Sequence, residues 1–331
     1  MPNTLLFNFS RVLGLCPYSP LGKFDPWLML WSLVSFSCWF SALIVSKIAL
    51  YGLKQDKNDR FLADSILNFN SALNAICVSY HLFINFQERS KMEDVFAVAH
   101  NIEPEAYEHS YVIFGSFLTI VIVICSWYGS DERHWWTLMD LGCYAVSVCT
   151  DFLLILQFCS LLKRISVKFR EVKCDIRNVR RVDYLGHSGL VAVAEDLNRI
   201  YDVQLLLICS KIFATIVYSA YSFYGQLETL RDSLPSLTSL ALAIVLCILM
   251  VFWLSDVSED IYADADSFNM ELFDVMRENE ELCHNDAYYL YVVVRQTVQV
   301  TACGFFEVGY PLVTSVIAAA TTYLVILIQF S

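Results

Sequence analysis

The chain has 331 residues, of which 57% are hydrophobic and only 17% charged, and it carries a formal net charge of −12. Those proportions lie outside soluble globular averages and within the range of integral membrane proteins. An acidic chain without a basic face lacks a nucleic-acid footprint, and no nucleophile–base set, phosphate loop or dinucleotide fingerprint supports an enzyme.

In chain order, residues 1–26 hold Arg11, Lys23 and Asp25 but no basic stretch feeding an apolar run and a small-residue cleavage site. No cleavable signal peptide is expected, and this segment reads as a cytoplasmic N-terminus. Uncharged runs of spanning length follow at 27–46, 65–87, 111–130, 141–162, 212–227, 233–255 and 308–331, with Asp151 interrupting the fourth and Lys211 preceding the fifth. At about 1.5 Å per residue each is near the length that crosses a hydrocarbon core of roughly 30 Å. The expected fold is therefore an all-α membrane protein with seven transmembrane helices.

Lysine and arginine set the orientation. With the N-terminus inside, the inner segments hold Arg11, Lys23, Arg89, Lys91, nine basic residues between 163 and 199, Arg277 and Arg295, whereas the outer side keeps Lys47, Lys54, Lys57, Arg60, Arg133 and Arg231. The positive-inside rule then puts the C-terminus outside. The predicted outer loops, 52–60, 131–136 and 228–232, are too short to fold alone, so any stimulus is small or reaches into the bundle. The inner segments 163–204 and 256–299 are long, charged and free of proline, and read as helices continuing the spans into the cytoplasm.

The acidic residues of 256–286, among them Glu259, Asp260, Asp264, Asp266, Glu280 and Glu281, form either a solvated helical face or a vestibule that concentrates cations. Of the twelve cysteines none falls in a predicted outer loop, which argues against extracellular disulfides. The absence of C-x-x-C or clustered Cys/His spacing argues against a metal site, and no cofactor is implied. Tyr288, Tyr289, Tyr291, Val292, Val293, Val294 and Val298 supply an apolar stripe before Gly304, Gly309 and Pro311 break the chain, so two helices separated by a break are expected.

Within the spans, Asp151 is expensive in lipid and must face a cavity or a partner, with Lys211 the candidate counter-ion. Tyr144 lies seven residues earlier and so on the same face. Tyr218, Tyr221 and Tyr224 on the fifth span, and Asn70, Asn74, His81 and Asn85 on the second, place polar tips in apolar walls, as a small-molecule pocket requires. Interfacial anchoring and packing explain the same residues. The last span carries a small and polar stripe, Ser315, Ala319, Thr322, Ile326 and Gln329, opposite Val316, Ala320, Tyr323, Leu327 and Phe330. Small residues suit close helix packing; in an assembly, a ring of Ile326 side chains would instead make a hydrophobic gate.

Thr322-Tyr323, five hydrophobic residues, then Gln329-Phe330 resembles the C-terminal signature of the insect gustatory receptor family. Leu13-Gly14-Leu15-Cys16-Pro17-Tyr18, Leu197-Asn198-Arg199-Ile200-Tyr201 and Ala302-Cys303-Gly304-Phe305-Phe306-Glu307 are similar to family patterns too. The resemblance implies a tetrameric ligand-gated cation channel related to insect odorant receptors, in the plasma membrane of gustatory neurons, assembled with itself or with other gustatory receptors. It implies residues 1–26 as cytoplasmic, 27–255 as a six-helix bundle with the ligand pocket, 256–307 as an anchor domain and 308–331 as the pore helix. Gln329 would line the pore beside a gate at Ile326, and the candidate pocket comprises Asp151, Tyr144, Tyr218, Tyr221, Tyr224, Asn74 and His81. Receptors of the sweet-sensing branch tend to carry Glu directly after the motif Tyr, where this chain has Leu324, so bitter or other contact chemicals are favoured as tastants. The chain is also somewhat short for the family, chiefly in its outer loops. The rival readings are a G-protein-coupled chemoreceptor, which needs the opposite orientation, and a transporter or non-conducting partner subunit.

Overall fold

Three helices more than twice as long as a membrane crossing organise the chain. The computed structural model describes residues 5–53, 61–99, 106–128, 135–179, 184–226, 234–278, 284 and 286–330. Its elements are α1 (Leu5–Val12), α2 (Pro26–Leu53), α3 (Phe61–Gln87), α4 (Arg89–Ala99), α5 (Ala106–Tyr128), α6 (Trp135–Val179), α7 (Tyr184–Gln226), α8 (Leu234–Glu278), α9 (Asp286–Val294), β1 (Thr301–Ala302), β2 (Phe306–Glu307) and α10 (Tyr310–Phe330). The outer-loop stretches 54–60, 131–134 and 228–232 with their basic residues, together with Arg180, Arg181, Glu280, Glu281 and Cys283, lie outside the described residues.

Helices α6, α7 and α8 run 45, 43 and 45 residues, about 65 Å each. One half of each is uncharged or nearly so. The other half carries Lys163, Arg164 and Lys168 on α6, Glu195, Asp196, Arg199 and Asp202 on α7, and Asp256, Glu259 and Asp260 on α8. The apolar halves cross the membrane and the charged halves continue as a bundle beyond it, as the proline-free inner segments predicted. Helices α2, α3, α5 and α10 pack around this spine. Exposed apolar side chains such as Val34, Ile113, Phe117, Ile317 and Val325 cover their outer surfaces, which in a bilayer is a favourable surface.

Among the described residues six helices, α2, α5, α6, α7, α8 and α10, are long and apolar enough to cross a membrane by length and composition. The remaining predicted span is α3. Its 27 residues reach across, but Asn70, Asn74, His81 and Asn85 depress its hydropathy. All four are buried, so the polarity faces protein and the seven-helix fold is retained. The helix start at α2 is capped as its sequence dictates: the Trp27 amide donates to Asp25 Oδ1 at 2.9 Å, and Pro26 occupies the first helical position, where its missing N–H costs nothing.

The N-terminal segment is part of the core, which the sequence alone did not indicate. Leu6, Phe7, Leu15, Cys16 and Tyr18 are buried. Gly14, at φ +75°, ends α1 where an added Cβ would sit 2.9 Å from the Ser32 backbone of α2, so only glycine allows this approach. Tyr18 donates to the Asn85 carbonyl at 3.1 Å and packs edge-on against Phe96, ring centroids 4.9 Å apart. His81 Nε2 donates to the Leu15 carbonyl at 2.8 Å, tying this segment to α3. Burial pushes the Cys16 thiol up to about 11, which keeps it a packing group. The ten cysteines whose side chains are described are free thiols.

Beyond the membrane, α6, α7, α8 and α9 meet around His187. Its ring stacks on Phe268 at 4.0 Å and lies 5.1 Å from Phe169. Because the Ala265 carbonyl, 3.2 Å from Nε2, only accepts, Nε2 carries the proton and Nδ1 accepts from Tyr291 Oη. Arg170 pairs with Asp264 at 2.8 Å, and Arg295 grips both oxygens of Asp266 at 2.8 and 2.9 Å. Part of the acidic stretch is thus internally paired and not merely solvated.

The expected helix through Val298 stops at Val294. Arg295 takes a positive φ of 45°, and residues 296–300 run without regular secondary structure to a short hairpin in which Thr301 pairs with Glu307 and Ala302 with Phe306. Cys303 and Gly304 both take positive φ, 52° and 70°, and the Phe305 amide donates to the Ala302 carbonyl at 3.0 Å. Two consecutive positive-φ residues are what primed hairpin turns need. The break expected near Gly309 is therefore a turn-and-hairpin, after which Pro311 sits in the first turn of α10.

Replacing His187 by Ala removes the stack and both hydrogen bonds and should destabilise the detergent-solubilised protein by about 2–4 kcal/mol. His187→Phe keeps the stack and should fall between. Thermal unfolding reads both, and wild-type melting of His187→Ala would contradict the assignment.

Candidate functional site

Three i,i+4 pairs on three helices converge inside the bundle. Such pairs share one helix face, and here they are Asn70 and Asn74 on α3, Ser147 and Asp151 on α6, and Lys211 and Thr215 on α7. Lys211 Nζ lies 2.5 Å from Asp151 Oδ2 and donates to Asn74 Oδ1 at 2.9 Å and to Ser147 Oγ at 2.7 Å. Asn70 Nδ2 donates to Thr215 Oγ1 at 3.1 Å, and Thr150 Oγ1 to Asn74 Oδ1 at 3.3 Å. The ammonium thus has its three donors matched to three acceptors. Asp151 and Lys211 are 5% and 7% exposed, so the pair is formed in a low-dielectric surround where neither charge alone is tolerable.

The satisfaction is incomplete in one direction. Asp151 Oδ1, Asn74 Nδ2 and Asn70 Oδ1 are buried without a hydrogen-bond partner among the described residues. Two acceptors and a donor are left over in an otherwise apolar bundle. Chemically, such a set can hydrogen-bond a small group that both donates and accepts.

The predicted pocket residues separate into two groups. Tyr144 is half-buried, and Asp151 and Tyr218 are among its electrostatic neighbours; these three, Asn74 and Lys211 form one neighbourhood. Tyr218 and Tyr221 are half-buried, whereas Tyr224 is 48% exposed. A three-residue step falls about 60° short of a full turn, so two steps rotate Tyr224 off the face. His81 is buried elsewhere: its ring spans Gln204 on α7, at 3.1 Å, and the Leu15 carbonyl. With Nε2 donating to Leu15, Nδ1 accepts from Asn85 Nδ2 at 3.2 Å, so both nitrogens are engaged and His81 holds the N-terminal segment in place. Sequence reading named Asn70 with Asn74 but missed Ser147, Thr150 and Thr215 as members of the cluster; the i,i+4 relation of Ser147 to Asp151 and of Thr215 to Lys211 was the available signal.

Helix α10 lies on the outside of the bundle against α7 and α8. Leu312, Val316, Ala320 and Leu327 face its own bundle, and Tyr323 meets Phe213 edge-on at 5.6 Å. Ser315, Thr322, Ile326 and Gln329 are exposed, and Ala319 is half-buried; the side chain of Phe330 lies outside the described residues. The Ser315 and Thr322 hydroxyls donate back to the Pro311 and Ala318 carbonyls at 2.7 and 2.9 Å. Between α3, α7 and α10 runs an open groove of about 690 Å³, lined by Phe69, Phe213, Val217, Leu312 and Val316, with Ser315 and Ala319 on its wall. Tyr310 Oη donates to Asp256 Oδ1 at 2.6 Å, fastening the base of α10 to α8.

Lys211→Met leaves a buried carboxylate unpaired and should cost about 3–5 kcal/mol, read as a lowered melting temperature in detergent. The double change Asp151→Asn/Lys211→Met should recover most of that loss. Equal destabilisation of single and double variants would show that the charge pair is not the controlling interaction.

The family model described as 7tm Chemosensory receptor matches residues 4–331. Among solved structures, the insect olfactory receptor OR5 of Machilis hrabei superposes with a TM-score of 0.64 at 13% identity, covering 98% of this chain and 97% of that one. The same receptor in complex with eugenol gives a TM-score of 0.66 at 12% identity, again with 98% and 97% covered. At these identities the likeness concerns the fold. No curated protein matches the chain in sequence. A match running from residue 4 to the last residue, on a seven-helix bundle of this architecture, establishes that the chain belongs to the 7tm chemosensory receptor family.

Proposed function

We propose that the chain is a gustatory receptor: a subunit of a ligand-gated, non-selective cation channel opened by small tastants, with bitter or other contact chemicals favoured over sugars. The observation that carries this reading is the division of α10 into two faces. Val316, Ala320 and Leu327 are packed against the chain's own bundle, while Thr322, Ile326 and Gln329 are exposed and Ser315 borders the open groove. A helix with a free small and polar face is suited to meeting copies of itself around a central axis, where four Ile326 side chains form a dewetting gate and Gln329 lines the pore. The signature Thr322-Tyr323 to Gln329-Phe330 supports the gustatory assignment over the olfactory one.

Tastant would bind from outside, in the neighbourhood of Asp151, Asn74, Tyr144 and Tyr218, and would open the channel by preferring the open state. An insect olfactory receptor of similar fold holding eugenol supports a small-molecule ligand. The Leu15 carbonyl meets His81 of α3, which in turn lies 3.1 Å from Gln204 of α7, and this supports an N-terminal segment on the same side as the bundle beyond the membrane. The basic residues of that side make it cytoplasmic, with an extracellular C-terminus in the plasma membrane of gustatory neurons.

Whole-cell recording from cells expressing the chain, alone and with related receptors, tests the reading with a panel of sucrose, fructose, quinine, caffeine and eugenol. A ligand-evoked cation current is expected. Ile326→Ala should raise the current without ligand several-fold, and Gln329→Ala should change conductance or ion preference; unchanged currents in surface-expressed variants would refute the pore assignment. Topology is tested separately at the acceptor Asn8-Phe9-Ser10. Glycan at Asn8 would place the N-terminus outside and favour the G-protein-coupled reading.

A further inference from the structure

Two stretches singled out by the sequence, Leu197 to Tyr201 and Ala302 to Glu307, remain without a role in ligand binding or in the pore. They meet each other. Asn198 Oδ1 accepts from the Thr301 amide at 3.2 Å, and Asn198 Nδ2 lies 3.5 Å from Thr301 Oγ1. Strand β1, which packs against α7, is held there by this one side chain and by buried Val300 and Ala302. The hairpin is short and closed, with the Val308 amide donating to the Val300 carbonyl at 2.9 Å. Only Val308 and Gly309 separate β2 from α10.

The other end of the connection is also on α7. Lys211 stands thirteen residues beyond Asn198 on the same uninterrupted helix, about 20 Å along its axis. The turn containing Asn198 is braced: Tyr201 packs against Phe158 at 5.2 Å and against His81 at 6.0 Å, while Gln204 faces His81 at 3.1 Å. A displacement of α7 at Lys211 therefore moves Asn198 as part of a rigid element, and Asn198 moves the hairpin. Helix α10 has a second anchor on α8, through Tyr310 and Asp256. Motion of α7 relative to α8 then changes the angle at which α10 leaves the junction.

We propose that Asn198 is a positioning residue for gating: its hydrogen bonds to Thr301 couple α7, and with it the Lys211–Asp151 cluster, to the base of the last helix. This rests on the channel reading above. Asn198 touches neither the ligand neighbourhood nor the exposed face of α10, so its loss changes the balance of closed and open states and leaves permeation intact.

The test compares Asn198→Ala, which loses both bonds, with Asn198→Asp, which keeps the acceptor for the Thr301 amide. Concentration–response curves are recorded with the most effective compound of the panel, together with surface protein and reversal potential. Asn198→Ala should shift the half-maximal concentration about three- to tenfold, the range one hydrogen bond carries, and alter the current without ligand. Its reversal potential should stay at the wild-type value, and Asn198→Asp should lie nearer wild type. A wild-type curve for Asn198→Ala overturns the inference, as does a changed reversal potential. Should Asn198→Ala fail to reach the surface, Thr301→Val decides: it keeps the amide bond and loses the hydroxyl, and a smaller shift in the same direction is expected. A wild-type curve there overturns the inference. Silence of the wild-type chain, alone and with relatives, overturns the channel reading and the inference with it.

Discussion

A charged pair buried in the membrane constrains everything around it. Lys211 and Asp151 cannot be separated without leaving an unpaired charge in a hydrocarbon-like surround, so α6 and α7 are held at one register. Asn74, a third acceptor for the same ammonium, adds α3. The antiparallel pairing of α3 with α7 repeats this register above and below, at Asn70 with Thr215 and at His81 with Gln204. Polar contacts here act as locators along helices whose apolar surfaces would allow sliding.

Helix α7 is where the parts of the fold meet. Its apolar half touches the last helix through Phe213, its middle meets through Gln204 the His81 of α3 that holds the Leu15 carbonyl, and its charged half enters the bundle beyond the membrane at His187. A helix of 43 residues without an internal proline is stiff over this distance. The polar interior, the bundle beyond the membrane and the last helix thus share one rigid element.

Much of the architecture was legible in the sequence because membrane burial writes itself in long uncharged runs. Each of the six most apolar helices coincides with a predicted span over most of that span's length, and the helical continuation of α6, α7 and α8 followed from proline-free charged segments. Asp151 with Lys211 was legible as well, since an intramembrane charge demands a counter-ion. Less legible were contacts between residues far apart in the chain. Nothing local in Leu13 to Tyr18 says that it plugs the end of α3, and nothing in His81 distinguishes a ligand contact from a clamp on the Leu15 carbonyl. The hairpin at Cys303 and Gly304 was hidden because strands of two residues carry no periodicity, and a non-glycine residue at positive φ has no sequence signature.

The sequence by itself determined the membrane class, the number of crossings and the two opposed faces of the last helix, because these depend on composition and on the 3.6-residue period. Tertiary structure decided which polar groups are partners: that Asn74 and Ser147 complete the Lys211 cage, that Tyr224 turns away from it, and that Asn198 grips Thr301. Those outcomes depend on the rotation and offset of whole helices against one another. Each side chain's environment is then set by neighbours tens to more than a hundred residues distant, which no local pattern specifies.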